Sequence, residues 1–215
     1  MFWSKSLLLP AALLLFGLGG PACGQSPPND LKSDLELVRG LRAGGNVIVL
    51  RHGATDPDGA DTDPLNHDNI AKQRQLSAKG EAAAVALGEA FRSLGIPVGQ
   101  VYTSRFNRAY QTAKLAGFAP IEKTIDLTEG GLVVSPNENA RRAQAFRKLA
   151  STPPPAGTNV LIVTHKPNIL DAFGKDWFEV KEGEATIFKP ENSGFSLLAR
   201  LQAADWSRIA AAAKN

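Results

Sequence analysis

Val47-Ile48-Val49-Leu50-Arg51-His52-Gly53-Ala54-Thr55 is the stretch that decides the fold of this 215-residue chain. A short apolar run, rich in β-branched residues, stops abruptly at an arginine and a histidine, and a glycine follows. An unbroken run of this kind suits a strand covered on both faces of a parallel sheet. Open α/β sheets bind ligands beyond the carboxyl ends of their strands. A cation beside an imidazole at that end points to an anionic ligand and to nucleophilic or acid–base chemistry.

A second run of the same kind lies far along the chain. Val160-Leu161-Ile162-Val163 leads into Thr164-His165, much as the first run leads into Arg51-His52. If both strands are central and parallel, the two imidazoles emerge on one edge of the sheet. A single histidine there is most simply a satisfied structural residue. Two at equivalent positions, one beside an arginine, favour a functional reading. Metal binding is the competing use of paired histidines. There is no His-x-x-x-His or Cys-x-x-Cys spacing, and the neighbouring arginines repel a cation. His67, the third histidine, falls in a polar loop and reads as solvated.

Between the runs, helical and extended patterns alternate. Asp30 to Arg42 has helical spacing, with Asp30 as cap and Gly44-Gly45 as stop. Asp56 to Arg74 is polar and aperiodic, a long loop placed to cover the first strand's end. Ser77 to Leu94 is a helix capped by Ser77. Gln100 to Thr103 reads as a strand, and Ser104 as the cap of a helix running to about Ala116. Ile121 to Asp126 is a third strand. Ser135-Pro136-Asn137-Glu138 is a capping box that opens a helix burying Ala143, Phe146 and Ala150. Ala185 to Phe188 and Phe195 to Leu201 form a late hairpin, and a helix starts at about Asp205. The alternation predicts a three-layer α/β/α sandwich with a mainly parallel central sheet and an antiparallel edge.

The amino terminus stands apart from this domain. Lys5 precedes an apolar run from Leu7 to Leu18, too short for a bilayer span of about 20 residues. Residues 1–24 therefore read as a secretory signal, 25–30 as a linker and 31–215 as the domain, which predicts an exported, periplasmic protein. Cys23, the single cysteine, has two readings: a lipidation site, hence a membrane anchor, or a bystander in the cleaved peptide. The preceding Gly20-Pro21-Ala22 matches a bacterial lipobox poorly. One cysteine rules out an intrachain disulfide. A net charge of +3 without a dense basic stripe argues against nucleic-acid binding, and nothing in the sequence sets the oligomeric state.

Ser104-Arg105-Phe106-Asn107-Arg108-Ala109-Tyr110-Gln111-Thr112-Ala113 carries the second cationic feature. Arginines at a helix start oppose the helix dipole, so their presence makes sense if an anion sits there. The plain alternative is that they are simply exposed.

Four segments in order give the chain a resemblance to the histidine phosphatase superfamily, with its phosphoglycerate-mutase-like fold. Arg51-His52-Gly53 resembles the family's signature triplet. Gln75-Leu76-Ser77-Ala78-Lys79-Gly80-Glu81 resembles the segment before its first long helix. Ser104 to Ala113 resembles its second block, and Thr164-His165 its third. The likeness covers about residues 46 to 170.

The resemblance implies that His52 attacks phosphorus and carries it as phosphohistidine. On the same match Arg51, Arg108 (not Arg105) and His165 hold the phosphoryl oxygens. It also implies a loop carboxyl group that protonates the leaving oxygen. Glu129, in Leu127-Thr128-Glu129-Gly130-Gly131, is the first candidate; Asp56, Asp126, Glu182 and Glu184 are the others. Thr55 could add a hydroxyl to the phosphate pocket, and Asn168 could border it. His52 needs a neutral attacking nitrogen, so its other nitrogen should donate to a backbone carbonyl. His165, beside a dianion, should be protonated. The implied activity is hydrolysis of a small phosphomonoester without metal or organic cofactor. The rival from another class is a non-catalytic anion-binding or scaffold protein that keeps the fold.

Overall fold

The computed structural model describes residues 1, 31–131, 133–192 and 194–214. Cys23, the leader, the linker and the cap expected at Asp30 lie outside the described residues. Among the described residues, no helix is long and apolar enough to cross a membrane.

Among the described residues, six strands form one sheet in the order β3-β2-β4-β1-β5-β6. They are β1 (Val47–Arg51), β2 (Val98–Ser104), β3 (Ile121–Thr124), β4 (Asn159–Thr164), β5 (Ala185–Glu191) and β6 (Gly194–Leu201). The first four run parallel, and the β5–β6 hairpin adds antiparallel strands beside β1. The sandwich expected from the sequence is therefore observed.

The unbroken apolar runs are needed because both faces of the sheet are covered. Ile48, Leu50, Leu161 and Val163 point into a core shared with α1 (Leu31–Ala43), α2 (Ala78–Leu94), α3 (Asn107–Leu115) and α6 (Ala203–Ala212). Val47, Val49, Val160 and Ile162 point to the other side, against α4 (Pro136–Ser151) and α5 (Lys166–Phe173). Fully burying such side chains contributes about 1.5–3 kcal/mol apiece.

Local signals place the helices with some corrections. Ser77 caps α2 by accepting from the Gly80 amide, as expected. Ser104 does not cap α3. It ends β2, and the residue before α3 is Phe106, which makes no side-chain cap bond. The amide of Asn107 instead donates to Oε1 of Gln73 at 2.7 Å, so the polar loop caps this helix. At α4 the Ser135 hydroxyl accepts from the Glu138 amide, while the Glu138 carboxylate turns to Arg141 and Arg142. The third strand stops at Thr124 and continues as a 3₁₀ turn from Ile125 to Leu127. α5 has no counterpart in the sequence reading; it begins directly after His165, with Pro167 in its first turn.

β1 and β4 are neighbours in register, with Arg51 opposite Thr164. His52 and His165 each follow one residue later, so parallel pairing brings them to the same level of the sheet edge. The His52 amide donates to the Thr164 carbonyl at 3.0 Å, which locks the two strand ends together.

Candidate active site

His52 is held from both sides of its own chain. Its ring is nearly buried, and Nδ1 lies 2.8 Å from the Gly53 carbonyl. An oxygen acceptor there requires Nδ1 to carry the proton, which leaves Nε2 with a free lone pair. The same peptide is gripped at its other end, where the Gly53 amide donates to the Thr112 hydroxyl at 3.0 Å. Thr112 in turn donates to the Arg108 carbonyl. The first turn of α2 packs closely against this strand exit. A Cβ on Gly80 would meet the Ala54 carbonyl oxygen at 2.0 Å, so only glycine fits there.

His165 is fully buried, with its ring centroid 5.1 Å from that of His52. Its Nε2 lies 2.7 Å from the Ser104 hydroxyl, which also accepts from the Phe106 amide. Nδ1 has no hydrogen-bond partner among the described residues and faces Oε1 of Glu129 at 3.7 Å. Phe106 walls the ring edge-on at 5.5 Å. Among the described residues, Ser104 makes the one hydrogen bond that orients this imidazole. Replacing it with alanine should lower turnover about tenfold, the worth of one such bond, with little change in KM. Threonine at 104, which keeps the hydroxyl, should restore most of it. Steady-state kinetics of the two variants check this.

Arg108 is completely buried in the first turn of α3. The anion expected at this helix start is first of all the protein's own. One terminal nitrogen meets Asp61 at 2.9 Å, and the other meets Glu129 in a close contact. The guanidinium lies over the Phe106 ring at 4.3 Å, and its Nε has no partner among the described residues. Arg51 donates to the Val180 carbonyl at 2.8 Å, stands 3.5 Å from Glu182, and also leaves Nε without a partner among the described residues. Arg105, by contrast, is exposed.

The acidic candidates separate clearly. Glu129 alone among the five touches both Arg108 and His165. Glu184 is buried against Arg200, Gln202 and the Lys181 amide, and Asp126 pairs with Arg141. Asp56 is exposed and accepts from the Asp58 amide. Glu182 braces Arg51 and takes the Thr55 hydroxyl at 2.9 Å. Thr55 thus shares Glu182 with Arg51. Asn168 donates to the Thr128 carbonyl and lines a cavity of about 120 Å³ beside Gly130 and Asn139. Among the described residues, no group of three or more His, Cys, Asp or Glu side chains could hold a metal ion.

Burial, then the charges of Arg108, Arg51 and Arg74, lowers the His52 pKa to about 3 despite the Gly53 bond. Burial and the same arginines, with His52, hold His165 well below its ordinary value. His165 is thus neutral in the protein's own field. The expectation of a protonated ring counted the charge of a bound dianion, which the arginines oppose. Below the ordinary value of 6.5 the unfolded chain takes up protons that the folded His52 refuses until about pH 3. Stability should therefore fall as pH drops through that window, by about 1.4 kcal/mol per pH unit from His52, with His165 adding in the same direction. Urea unfolding across the window checks the slope. Histidine NMR titration should show neither ring protonating near 6.5.

Asp61, Arg74 and Thr112 escape the sequence reading as site residues. Arg74 adjoins the Gln75-Leu76-Ser77 segment, and its charge reaches Arg51, His52 and His165. Thr112 lies within the second block, where its pairing with Ala113 was visible but its bond to Gly53 was not. Asp61 lies in an aperiodic loop with no motif to mark it.

Comparison with known proteins bears on the fold and on part of the sequence. The model of the histidine phosphatase superfamily (branch 1) matches residues 47–134. The protein histidine phosphatase SixA, solved with tungstate, is 18% identical over 74% of this chain and 98% of its own, with a TM-score of 0.53. A phosphoserine phosphatase mutant from Entamoeba histolytica is 14% identical over 74% and 97%, with a TM-score of 0.52. A mycobacterial glucosyl-3-phosphoglycerate phosphatase is 19% identical over 72% and 97%, with a TM-score of 0.50. No curated protein sequence matches the chain. The family model covers three of the four segments that carry the resemblance, and the solved phosphatases share the fold of this chain.

Proposed function

We propose that this protein is a phosphatase that hydrolyses a small phosphomonoester through a phosphohistidine on His52. One observation carries the reading. A neutral imidazole with a free Nε2 shares its sheet edge with three buried nitrogens that lack partners among the described residues: Arg51 Nε, Arg108 Nε and His165 Nδ1. Buried donors are costly to leave unpaired, and a phosphoryl group would satisfy all three.

The chemistry proceeds in two displacements. Nε2 of His52 bonds to phosphorus as the ester P–O bond breaks. Glu129, which stands beside both Arg108 and His165, enters this step as the carboxylic acid and gives its proton to the leaving oxygen. Glu129 then accepts a proton from water, whose oxygen attacks phosphorus as the P–N bond breaks. Phosphate leaves and His52 returns to its neutral form. Arg51, Arg108 and His165 hold the nonbridging oxygens through both steps, and charge growing on them is stabilised without reorganisation. The scheme calls for no metal.

The enzyme works outside the cytoplasm on this reading, a placement supported by the apolar run Leu7 to Leu18. The function is tested by p-nitrophenyl phosphate turnover with and without EDTA. Turnover that resists the chelator supports the proposal, and turnover abolished by it contradicts the metal-free scheme. Failure to hydrolyse any of a broad phosphoester panel, with phosphate still bound, would favour the anion-binding alternative.

A further inference from the structure

The arginine assigned to the phosphoryl group is already in use. Both terminal nitrogens of Arg108 are held by carboxylates, one from Glu129 and one from Asp61. Glu129 has a role in the proposed chemistry. Asp61 has none, and it arrives from the loop that the sequence shows only as polar and aperiodic. We propose that Asp61 is an affinity-setting residue: its carboxylate competes with the substrate's phosphoryl group for Arg108, and a ligand must displace or repel it to bind.

The contact is built into the loop. Oδ1 of Asp61 accepts from Arg108 and also from the Arg74 amide, each at 2.9 Å. The adjoining Thr62 amide donates to the Lys72 carbonyl at 2.8 Å, so the two arms of the loop are tied together at this point. The far arm is fixed to the start of α3, where Gln73 and Gln75 accept from the amide and side chain of Asn107. Asp61 is largely shielded from water, and its partner guanidinium is completely so. At such a site the attraction is screened less than at the surface, and so is repulsion between Asp61 and an incoming anion. The loop that covers the site thus brings its own anion to the place where the substrate's anion must sit.

This inference rests on Arg108 being a phosphate ligand, so its test uses binding rather than turnover. Inorganic phosphate is titrated calorimetrically into the full chain, into Asp61→Asn and into Asp63→Asn. Asparagine at 61 keeps the acceptor for the Arg74 amide and loses only the charge. Asp63 lies in the same loop and accepts from Asn69 rather than Arg108, so its variant measures the general effect of one less negative charge. Asp61→Asn should bind phosphate about tenfold more tightly than the native protein, the order expected for one partly screened charge contact. Asp63→Asn should change affinity less than twofold. Equal gains in both variants, or unchanged or weaker binding in Asp61→Asn, would overturn the proposal. The phosphatase reading fails separately, through absent turnover in a protein that still binds phosphate.

Discussion

His52→Ala folds and loses turnover of p-nitrophenyl phosphate by about four orders of magnitude or more, as removal of a covalent nucleophile does elsewhere. Among the described residues the ring bonds only to the adjacent Gly53 carbonyl, and that peptide stays anchored through Thr112, so the strand exit keeps its shape. The same variant gives a second, independent reading. Native His52 resists protonation down to about pH 3, so it contributes to the loss of stability in acid. Its removal should flatten the acid limb of the stability profile by about 1.4 kcal/mol per pH unit. Activity measured at neutral pH and urea midpoints measured in acid test the two effects on one preparation. Turnover within tenfold of native would remove His52 from the nucleophile's place.

Arg108→Ala should lower kcat/KM by about two to three orders of magnitude, the range for deleting one preorganised donor to a developing charge. Three consequences meet at this residue. The phosphoryl group loses a ligand. Asp61 and Glu129 lose their shared cation and are left as two partly buried carboxylates beside the phosphate position. Both histidines lose a charge that holds them neutral, so their pKa values should rise. Arg108→Lys should recover only part of the activity. An ammonium is a compact charge on a flexible stem, whereas the guanidinium meets two carboxylates at once and keeps Nε for a third contact. Kinetics report the first effect and histidine NMR the last. A variant with native kcat/KM would contradict the assigned role of Arg108.

The sheet was legible because burial on both faces leaves a plain trace in sequence. Val47 to Leu50 and Val160 to Val163 can be unbroken apolar runs only where helices cover both sides. From that, the convergence of His52 and His165 follows through parallel pairing. The resemblance singled out Arg51 and Arg108 and put Glu129 first among five candidate acids, and the structure brings these three residues to one place. What sequence could not show was how hydroxyls and carboxylates divide their bonds. Ser104 has the composition of a helix cap, yet it ends a strand and orients His165, because Gln73 reaches across to serve α3. Thr55 stands three residues beyond His52, yet its hydroxyl turns to Glu182. Asp61 is forty-seven positions from Arg108 in the chain and carries no periodic or motif signal. Contacts of this kind depend on the path of an irregular loop, which local patterning does not encode.

The central claim, a covalent phosphohistidine on His52, is tested most directly by trapping it. Protein turning over a radiolabelled phosphomonoester is denatured rapidly in alkali, where phosphohistidine survives, and the labelled fragment is mapped. The label should reside on Nε2 of His52, be lost in acid, and be absent from His52→Ala. A label on a carboxylate or hydroxyl side chain, or steady turnover with no label on His52, would contradict it.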